Sequence, residues 1–320
     1  MINWVKLQES ENNDTKLIFS VADLHALTMP QKPGNFKKAR MQTLASMLAV
    51  GLDEERCTIF IQSQFGIVTE LMWILSCTAS LGYLSRMTQW KSKTGLNNPS
   101  TLENSTNSTK KKLGLFSYPV LQAADILIHR ATHVPVGADQ AQHLEFAREC
   151  ATNFNSAYSP VFVRPETILS PTKRIKSLTN QKVKMSKSSG SKNSRILITD
   201  TKEEINEKFL GAITDSENRV SWDPEIRPEV ANLLTILSAF DTLGRSPQEL
   251  AKSMEDMKLR ELKSLLSKSV EEKLSPIREN YNKLIADDDH LNKVAARGLE
   301  KAYETGRRNM RLVKDAIGLC

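Results

Sequence analysis

Cysteine is scarce in this chain: four in 320 residues, at Cys57, Cys77, Cys150 and Cys320. None forms a Cys-x-x-Cys pair or has a histidine at zinc-like spacing, so neither a disulfide scaffold nor a zinc finger is expected. Buried thiols in a reducing compartment are the simplest reading. The five histidines are expected to form no His-x-x-x-His helical pair, and no protein-bound structural metal is expected. Glycine (13) and proline (12) are too few for a collagen-like or low-complexity chain. No apolar run approaches the roughly 18 residues of a membrane-spanning helix, so no membrane partner is expected. The absence of G-x-x-x-x-G-K-[ST] argues against a P-loop kinase, and the absence of G-x-G-x-x-G argues against a Rossmann dehydrogenase. Met1–Lys6 has neither a secretory apolar core nor an Arg/Ser-rich transit segment. The Asn104 and Asn107 sequons are therefore expected to be unused.

What is present is a chain long enough for two domains, 40% hydrophobic and 25% charged. Lysine and arginine number 44 against 37 acidic residues, a net +7, with a pI near 9.1. That surplus suits an anionic partner such as nucleic acid, nucleotide or acidic lipid, and equally a merely basic soluble protein.

The first two-thirds reads as strands alternating with helices. Lys16–Asp23 and Thr58–Gln62 are short β-branched and aromatic runs suited to strands buried on both faces. Between them, Phe36–Val50 carries Met41, Leu44, Ala45 and Leu48 at helical spacing, with Gly51 as the stop. Strand, helix, strand in that order predicts a parallel sheet. Val134–Val136 and Arg195–Ile198 are further strand candidates. Thr201 with Glu204, and Ser246-Pro247-Gln248-Glu249, read as helix starts. Leu96–Thr109, followed by Lys110–Lys112, is a polar surface loop. From Lys258 to Ile317 strand signals are nearly absent. Arg307, Arg308, Arg311 and Lys314 make a basic stripe in the last helix, a weak candidate for tRNA contact whose commoner meaning is a solvated face.

The sharpest chemical signal is Lys184-Met185-Ser186-Lys187-Ser188. Two lysines three apart, with hydroxyls between and after and Ser189-Gly190 following, suit a loop that grips polyphosphate. Lys/Ser-rich loops also arise by chance. This pentapeptide, however, is the KMSKS signature of class I aminoacyl-tRNA synthetases. Arg86-Met87-Thr88-Gln89-Trp90-Lys91, Tyr118–Leu127 (YPVLQAADIL) and Val134–Gln140 (VPVGADQ) with Gln142–Glu145 fall in family order. So do Val21–Ala26 and Asp223–Leu234. The chain thus resembles the tryptophanyl-tRNA synthetase family over nearly its whole length, with wording at Gln89–Lys93 and Thr132–Val134 closer to mitochondrial members.

The resemblance implies an α/β fold: a Rossmann-like parallel-sheet catalytic domain over residues 1–200, then an all-helical, KMSKS-adjacent and anticodon-binding domain over 201–320. It implies ATP-dependent activation of L-tryptophan and transfer to tRNA(Trp), by a homodimer in the mitochondrial matrix, or alternatively in the cytoplasm. ATP would be a substrate, carried with Mg²⁺. The indole N–H only donates, so a buried recognition group must accept, which suits Asp125 on a helix starting near Pro119. Asp125 could equally be an ordinary polar residue of a helix surface. Gln140 is implied for the substrate ammonium. Tyr118, Gln122, His25, Val134 and Val136 are implied around the indole, with core packing or support of neighbouring residues as the alternative for each. Gly137, Ala138 and Asp139 match positions near ATP, and Asp139 also reads as a helix N-cap. Ile175 is implied near adenine. Lys184, Met185, Ser186, Lys187 and Ser188 would bind ATP, with Lys184 and Lys187 offsetting charge on the leaving pyrophosphate.

The pattern departs from the family in several places. The HxGN loop that cradles ATP has no counterpart, and Trp4–Gln8 matches the helix that follows it. The expectation is a shortened form of a normal enzyme, or else a non-catalytic relative that keeps tRNA or RNA binding. Ser189-Gly190-Ser191 replaces the usual Asp-Pro-Asn, and Glu229 replaces a usual glycine. A tyrosyl-tRNA synthetase is the nearest enzyme alternative, disfavoured by Arg86–Lys91 and VPVGADQ.

Overall fold

The structure is a computed structural model that describes residues 2–12, 14–94, 112–169, 175–186 and 191–320. The elements run α1 (Ile2–Ser10), β1 (Leu17–Val21), α2 (Asp23–Ala26), α3 (Pro33–Ala49), β2 (Cys57–Ile61), α4 (Ile67–Ser76), α5 (Leu81–Arg86) and α6 (Thr88–Thr94). Then come α7 (Leu113–Leu127), β3 (His133–Val136), α8 (Ala141–Ala157), β4 (Glu166–Leu169), α9 (Lys202–Leu210), α10 (Pro228–Phe240), α11 (Pro247–Ser253), α12 (Leu259–Ile285) and α13 (Asp288–Ile317). The polar loop expected at 96–109 lies outside the described residues.

The apolar runs form two parallel pairs. In the first, β1 runs beside β2 with Leu17 opposite Cys57 and Val21 opposite Ile61. In the second, β3 runs beside β4, from His133 opposite Glu166 to Val136 opposite Leu169. Parallel strands need a crossover, supplied here by α3 and α8. Helix α3 opens on Pro33, whose fixed φ suits a first turn, and Gly51 follows its end at φ +108°. Strand β4 escapes sequence reading because Glu166 and Leu169 are exposed, so the burial signal of a central strand is missing. Arg195–Ile198, expected as a strand, pairs with none. Ile196 and Ile198 instead pack against a helical core, which accounts for the apolar run.

The chain divides into two compact units, Met1–Ser170 with Asp287–Cys320, and Pro171–Ala286. These boundaries differ from the division at residue 200 expected above, chiefly because α13 returns to the first unit. Its route depends on three small residues four apart, Gly298, Ala302 and Gly306. A Cβ at Gly298 would overlap the carbonyl oxygen of Ile59 in β2, and one at Gly306 would overlap the Phe65 ring. The helix therefore lies directly on strand backbone. Tyr303 adds to the seat: its hydroxyl donates to Gln64 O (3.1 Å) and accepts from Gly66 N (3.3 Å). Asn309 donates to Ile128 O at 2.8 Å, just past the end of α7. Around this contact Phe60, Phe65, Val68, Leu71, Leu127, Phe146, Phe154 and Val313 form the first core.

The second unit is helical, with Ile205, Phe209, Leu233, Leu234, Leu262 and Leu266 at its centre. Both expected capping boxes form, Thr201 with Glu204 and Ser246 with Glu249. Among the described residues no helix is long and apolar enough to cross a membrane.

Two thiols depart from the expectation of burial. Cys57 and Cys150 are buried, and desolvation pushes them up to about 11 and about 12, but Cys77 and Cys320 are exposed. His129 and His133 are four residues apart, yet they straddle the turn from α7 to β3 rather than sharing a helix face. His129 stacks on Phe65 at 5.3 Å and 12°, and burial lowers its pKa to about 4.

Gly298→Ala should lower stability by about 1–3 kcal/mol through overpacking, read as a lower denaturant midpoint. Gly34→Ala, in open space within α3, should leave it unchanged or slightly higher. The neutral His129 supplies stability that is present above its unfolded pKa near 6.5 and lost as pH falls through about 4. That contribution is of the order of 3 kcal/mol, so His129→Gln should flatten the stability profile between pH 6.5 and 4.

Candidate active site

The first unit contains a cavity of about 350 Å³ lined by Ala22, His25, Thr28, Tyr118, Gln122, Asp125 and Gln140. It opens where α/β sheets place their sites, beyond the carboxyl end of a parallel strand. The turn after β1 supplies Ala22, His25 and Thr28. Helix α7 supplies Tyr118, Gln122 and Asp125, spaced i, i+4, i+7 on one face. The 3₁₀ turn Ala138–Gln140 after β3 supplies Gln140. Helix α7 begins at Leu113, six residues before Pro119. Leu115 is buried against the core, and the helix continues through the proline.

Asp125 is the anionic centre of the cavity. Gln62 Nε2 donates to Asp125 Oδ1 at 2.8 Å and Oδ2 at 2.7 Å, and His25 Nε2 lies 2.9 Å from Oδ2. Gln62 sits in a single 3₁₀ turn at the end of β2 and is fully buried. Its side-chain oxygen Oε1 accepts Leu24 N–H at 3.1 Å. Beside it Asp23, also buried, accepts from Ser63 N (2.8 Å) and Ser63 Oγ (2.6 Å) and pairs with Arg40 Nε at 2.8 Å. The ends of β1 and β2 are thus tied by two buried polar side chains.

A second network holds Gln140. Its Oε1 accepts from Gln122 Nε2 at 3.3 Å and lies 2.8 Å from His143 Nδ1. Because that oxygen only accepts, His143 Nδ1 carries the proton. His143 Nε2 lies 3.1 Å from the Tyr118 hydroxyl, which donates to Gln89 Oε1 at 2.7 Å. Gln89 in turn donates to the Asp139 carbonyl at 3.2 Å. Burial, helped by the negative charge of Asp139, pushes the Tyr118 phenol up to about 12, so it stays a donor at neutral pH.

Of the residues expected at the site, His25, Tyr118, Gln122, Asp125 and Gln140 come together. Val134 and Val136 pack half-buried against the core and are not among the cavity's lining residues. Gly137, Ala138 and Asp139 are exposed on the turn leading to Gln140. Asp139 lies inside that turn, and the cap positions are Gly137 and Gln140, neither with a side-chain cap. Gln62, Gln89 and His143 were not singled out from the sequence. Gln62 carried a readable signal, a polar residue ending the apolar run TIFIQ.

The KMSKS segment belongs to the second unit. Lys184 bridges Lys176 in an antiparallel turn, and Met185 N donates to Ile175 O at 3.0 Å. Buried Asn232 on α10 grips both backbone groups of Lys176, accepting at 2.9 Å and donating at 3.1 Å. Ile175 and Met185 pack half-buried on the helical core. Ser186 ends the described part of the loop, and Lys187 and Ser188 lie outside the described residues. On α13, Arg307, Arg308 and Arg311 are exposed; Arg307 stacks 4.7 Å over the Tyr303 ring, and Lys314 pairs with Glu70 at 2.6 Å.

Residues 1–275 match the family model for class I tRNA synthetases of the tryptophan and tyrosine type. The mitochondrial tryptophan–tRNA ligase of Schizosaccharomyces pombe is 39% identical over 323 residues, covering 99% of this chain and 89% of the relative. That of Saccharomyces cerevisiae is 40% identical over 329 residues, covering 98% and 84%. Tryptophanyl-tRNA synthetase from Mycoplasma pneumoniae superposes with a TM-score of 0.84 at 30% identity, over 100% of this chain and 92% of that one. The Campylobacter jejuni synthetase, complexed with ADP and tryptophan, superposes at 0.76 and 28% identity, over 99% and 93%.

Proposed function

The chain belongs to the class I tRNA synthetases of the tryptophan and tyrosine type, and on that premise we propose that it is a tryptophan–tRNA ligase. The observation that carries the reading is the cavity of the first unit, which ends in a carboxylate fixed by two donors. A carboxylate accepts and cannot donate, which suits the indole N–H, a donor only. A substrate lacking that donor would leave the carboxylate unpaired, a cost that becomes selectivity.

The chemistry needs no side-chain nucleophile. The tryptophan carboxylate oxygen attacks the α-phosphorus of ATP, forming the acyl-phosphate bond as the bond to pyrophosphate breaks. A ribose hydroxyl of tRNA(Trp) then attacks the acyl carbon, and AMP leaves. Positioning and charge stabilisation carry such a reaction. Asp125 sets the ring, and Gln140, held by His143 and Gln122, faces the ammonium. Tyr118, Gln122 and His25 shape the slot, with Val134 and Val136 packed behind. Gly137, Ala138 and Asp139, and separately Ile175, are proposed ATP-binding residues. Lys184 and Lys187, with Met185, Ser186 and Ser188 of their loop, offset charge on the pyrophosphate that ATP carries with its Mg²⁺.

Arg307, Arg308, Arg311 and Lys314 are proposed tRNA contacts, and the helical part of 201–320 the anticodon-recognising part. Trp73 on α4 and Leu81 on α5 are 73% and 72% exposed, apolar surface that suits a second copy in a homodimer. Relatives named as mitochondrial enzymes support a place in the mitochondrial matrix, with the cytoplasm as the alternative.

Tryptophan-dependent ATP–pyrophosphate exchange tests the reading, with tyrosine as the competing amino acid. Exchange driven by tyrosine alone would contradict it. Asp125→Ala should lower kcat/KM for tryptophan by about 10- to 150-fold, the worth of a hydrogen bond to a charged group. Lys187→Ala should lower the exchange rate far more than it weakens tryptophan binding, and an unchanged rate would remove that lysine from the mechanism.

A further inference from the structure

Most of what holds Asp125 lies outside the cavity. Gln62 does not line it, yet its amide nitrogen straddles both carboxylate oxygens at 2.8 and 2.7 Å. The amide's orientation follows from its other end. Leu24 N–H can only donate, so Oε1 faces Leu24 and the NH₂ group faces Asp125. Leu24 precedes His25, the second donor to the carboxylate. One buried amide therefore links the end of β2, the one-turn helix α2 and the last turn of α7.

Packing alone does not ask for glutamine here. At 1% exposure an apolar side chain of similar volume would fill the space, at the cost of this partner for Leu24 N–H and for the carboxylate. What glutamine adds is a direction. The terminal torsion of an aspartate is soft, so an unheld carboxylate swings. Here Oδ2 receives both Gln62 and His25 while Oδ1 receives Gln62 alone, which leaves acceptor capacity at Oδ1 in a fixed plane.

We propose that Gln62 is the positioning residue that sets the cavity's amino-acid selectivity, by locking Asp125 as the acceptor for a ring N–H. Gln62 acts through Asp125 and touches no substrate atom. The inference rests on the reading of Asp125 as the indole acceptor. Its test uses equilibrium binding, so it does not require turnover.

The full chain and its Gln62→Met variant are titrated with L-tryptophan, with β-(3-benzothienyl)-L-alanine, in which sulfur replaces the ring N–H, and separately with ATP. The wild type should prefer tryptophan, and Gln62→Met should cut that preference at least tenfold while ATP binding stays unchanged. A preference that survives in Gln62→Met, or a wild type that binds both amino acids equally, overturns the proposal. Gln62→Glu adds an arm that a purely structural role would not move. When protonated, the introduced carboxyl donates to Asp125 as the amide does; when ionised, it repels it. The preference of Gln62→Glu for tryptophan over the benzothienyl analogue, taken relative to wild type, should therefore recover as pH falls from 8 to 5.5. His25 and Tyr118 at the cavity, Asp139 beside Tyr118, and Asp23 with Arg40 behind Ser63 are common to both proteins, so the difference belongs to position 62. A flat difference overturns the proposal, and this arm decides alone if Gln62→Met fails to fold. Wild type that binds tryptophan with this preference but exchanges no pyrophosphate would contradict the ligase reading and leave the role of Gln62 standing.

Discussion

The first unit depends on a helix lying on bare strand backbone. Gly298 lets α13 approach the Ile59 carbonyl more closely than any residue with a Cβ would allow, and Gly306 does the same at the Phe65 ring. From that seat the helix reaches both halves of the site. Tyr303 holds the turn that follows Gln62, through Gln64 O and Gly66 N. Asn309 holds Ile128 O, three residues beyond Asp125. The carboxylate at the cavity and the amide behind it are thus braced by one element from the far end of the chain. Sub-ångström placement of a carboxylate is what recognition by a hydrogen bond needs, and packing of this kind supplies it.

The proposed chemistry draws on residues of both units. The first offers a cavity whose principal polar groups are oriented by other side chains: Asp125 by Gln62 and His25, and Gln140 by His143 and Gln122. The second offers the lysine-bearing loop, whose base is pinned to α10 by the amide of Asn232. Buried amides recur at both sites for one reason. A glutamine or asparagine donates and accepts at once, so it ties two backbone segments together without placing a charge in the core.

Much of this was legible in the sequence where local chemistry decides. Strands β1 and β2, helix α3 with its Gly51 stop, and both capping boxes follow from runs, periodicity and caps. Five residues of the cavity were legible too, through segments that resemble one family. What was hidden depends on contacts distant in sequence. Strand β4 is exposed, so its pattern lacks the mark of burial. The return of α13 rests on Gly298, Ala302 and Gly306, which read as unremarkable small residues until the strand beneath them is known. Gln62 looked like the polar end of a strand, because its partner Asp125 is 63 residues away. Helix α7 was read too short because proline usually marks a helix start, whereas Pro119 is carried inside by buried neighbours.

The central claim is that the cavity recognises a ring N–H through a carboxylate held in place. The most direct measurement compares binding of L-tryptophan and 1-methyl-L-tryptophan to the wild-type chain by calorimetry. The methyl group removes the donor and points carbon at Asp125. The account predicts at least about 10²-fold weaker binding of the methylated amino acid, since the contact and the room for it are lost together. Equal affinities would mean that Asp125 does not face the indole nitrogen, and would contradict the account.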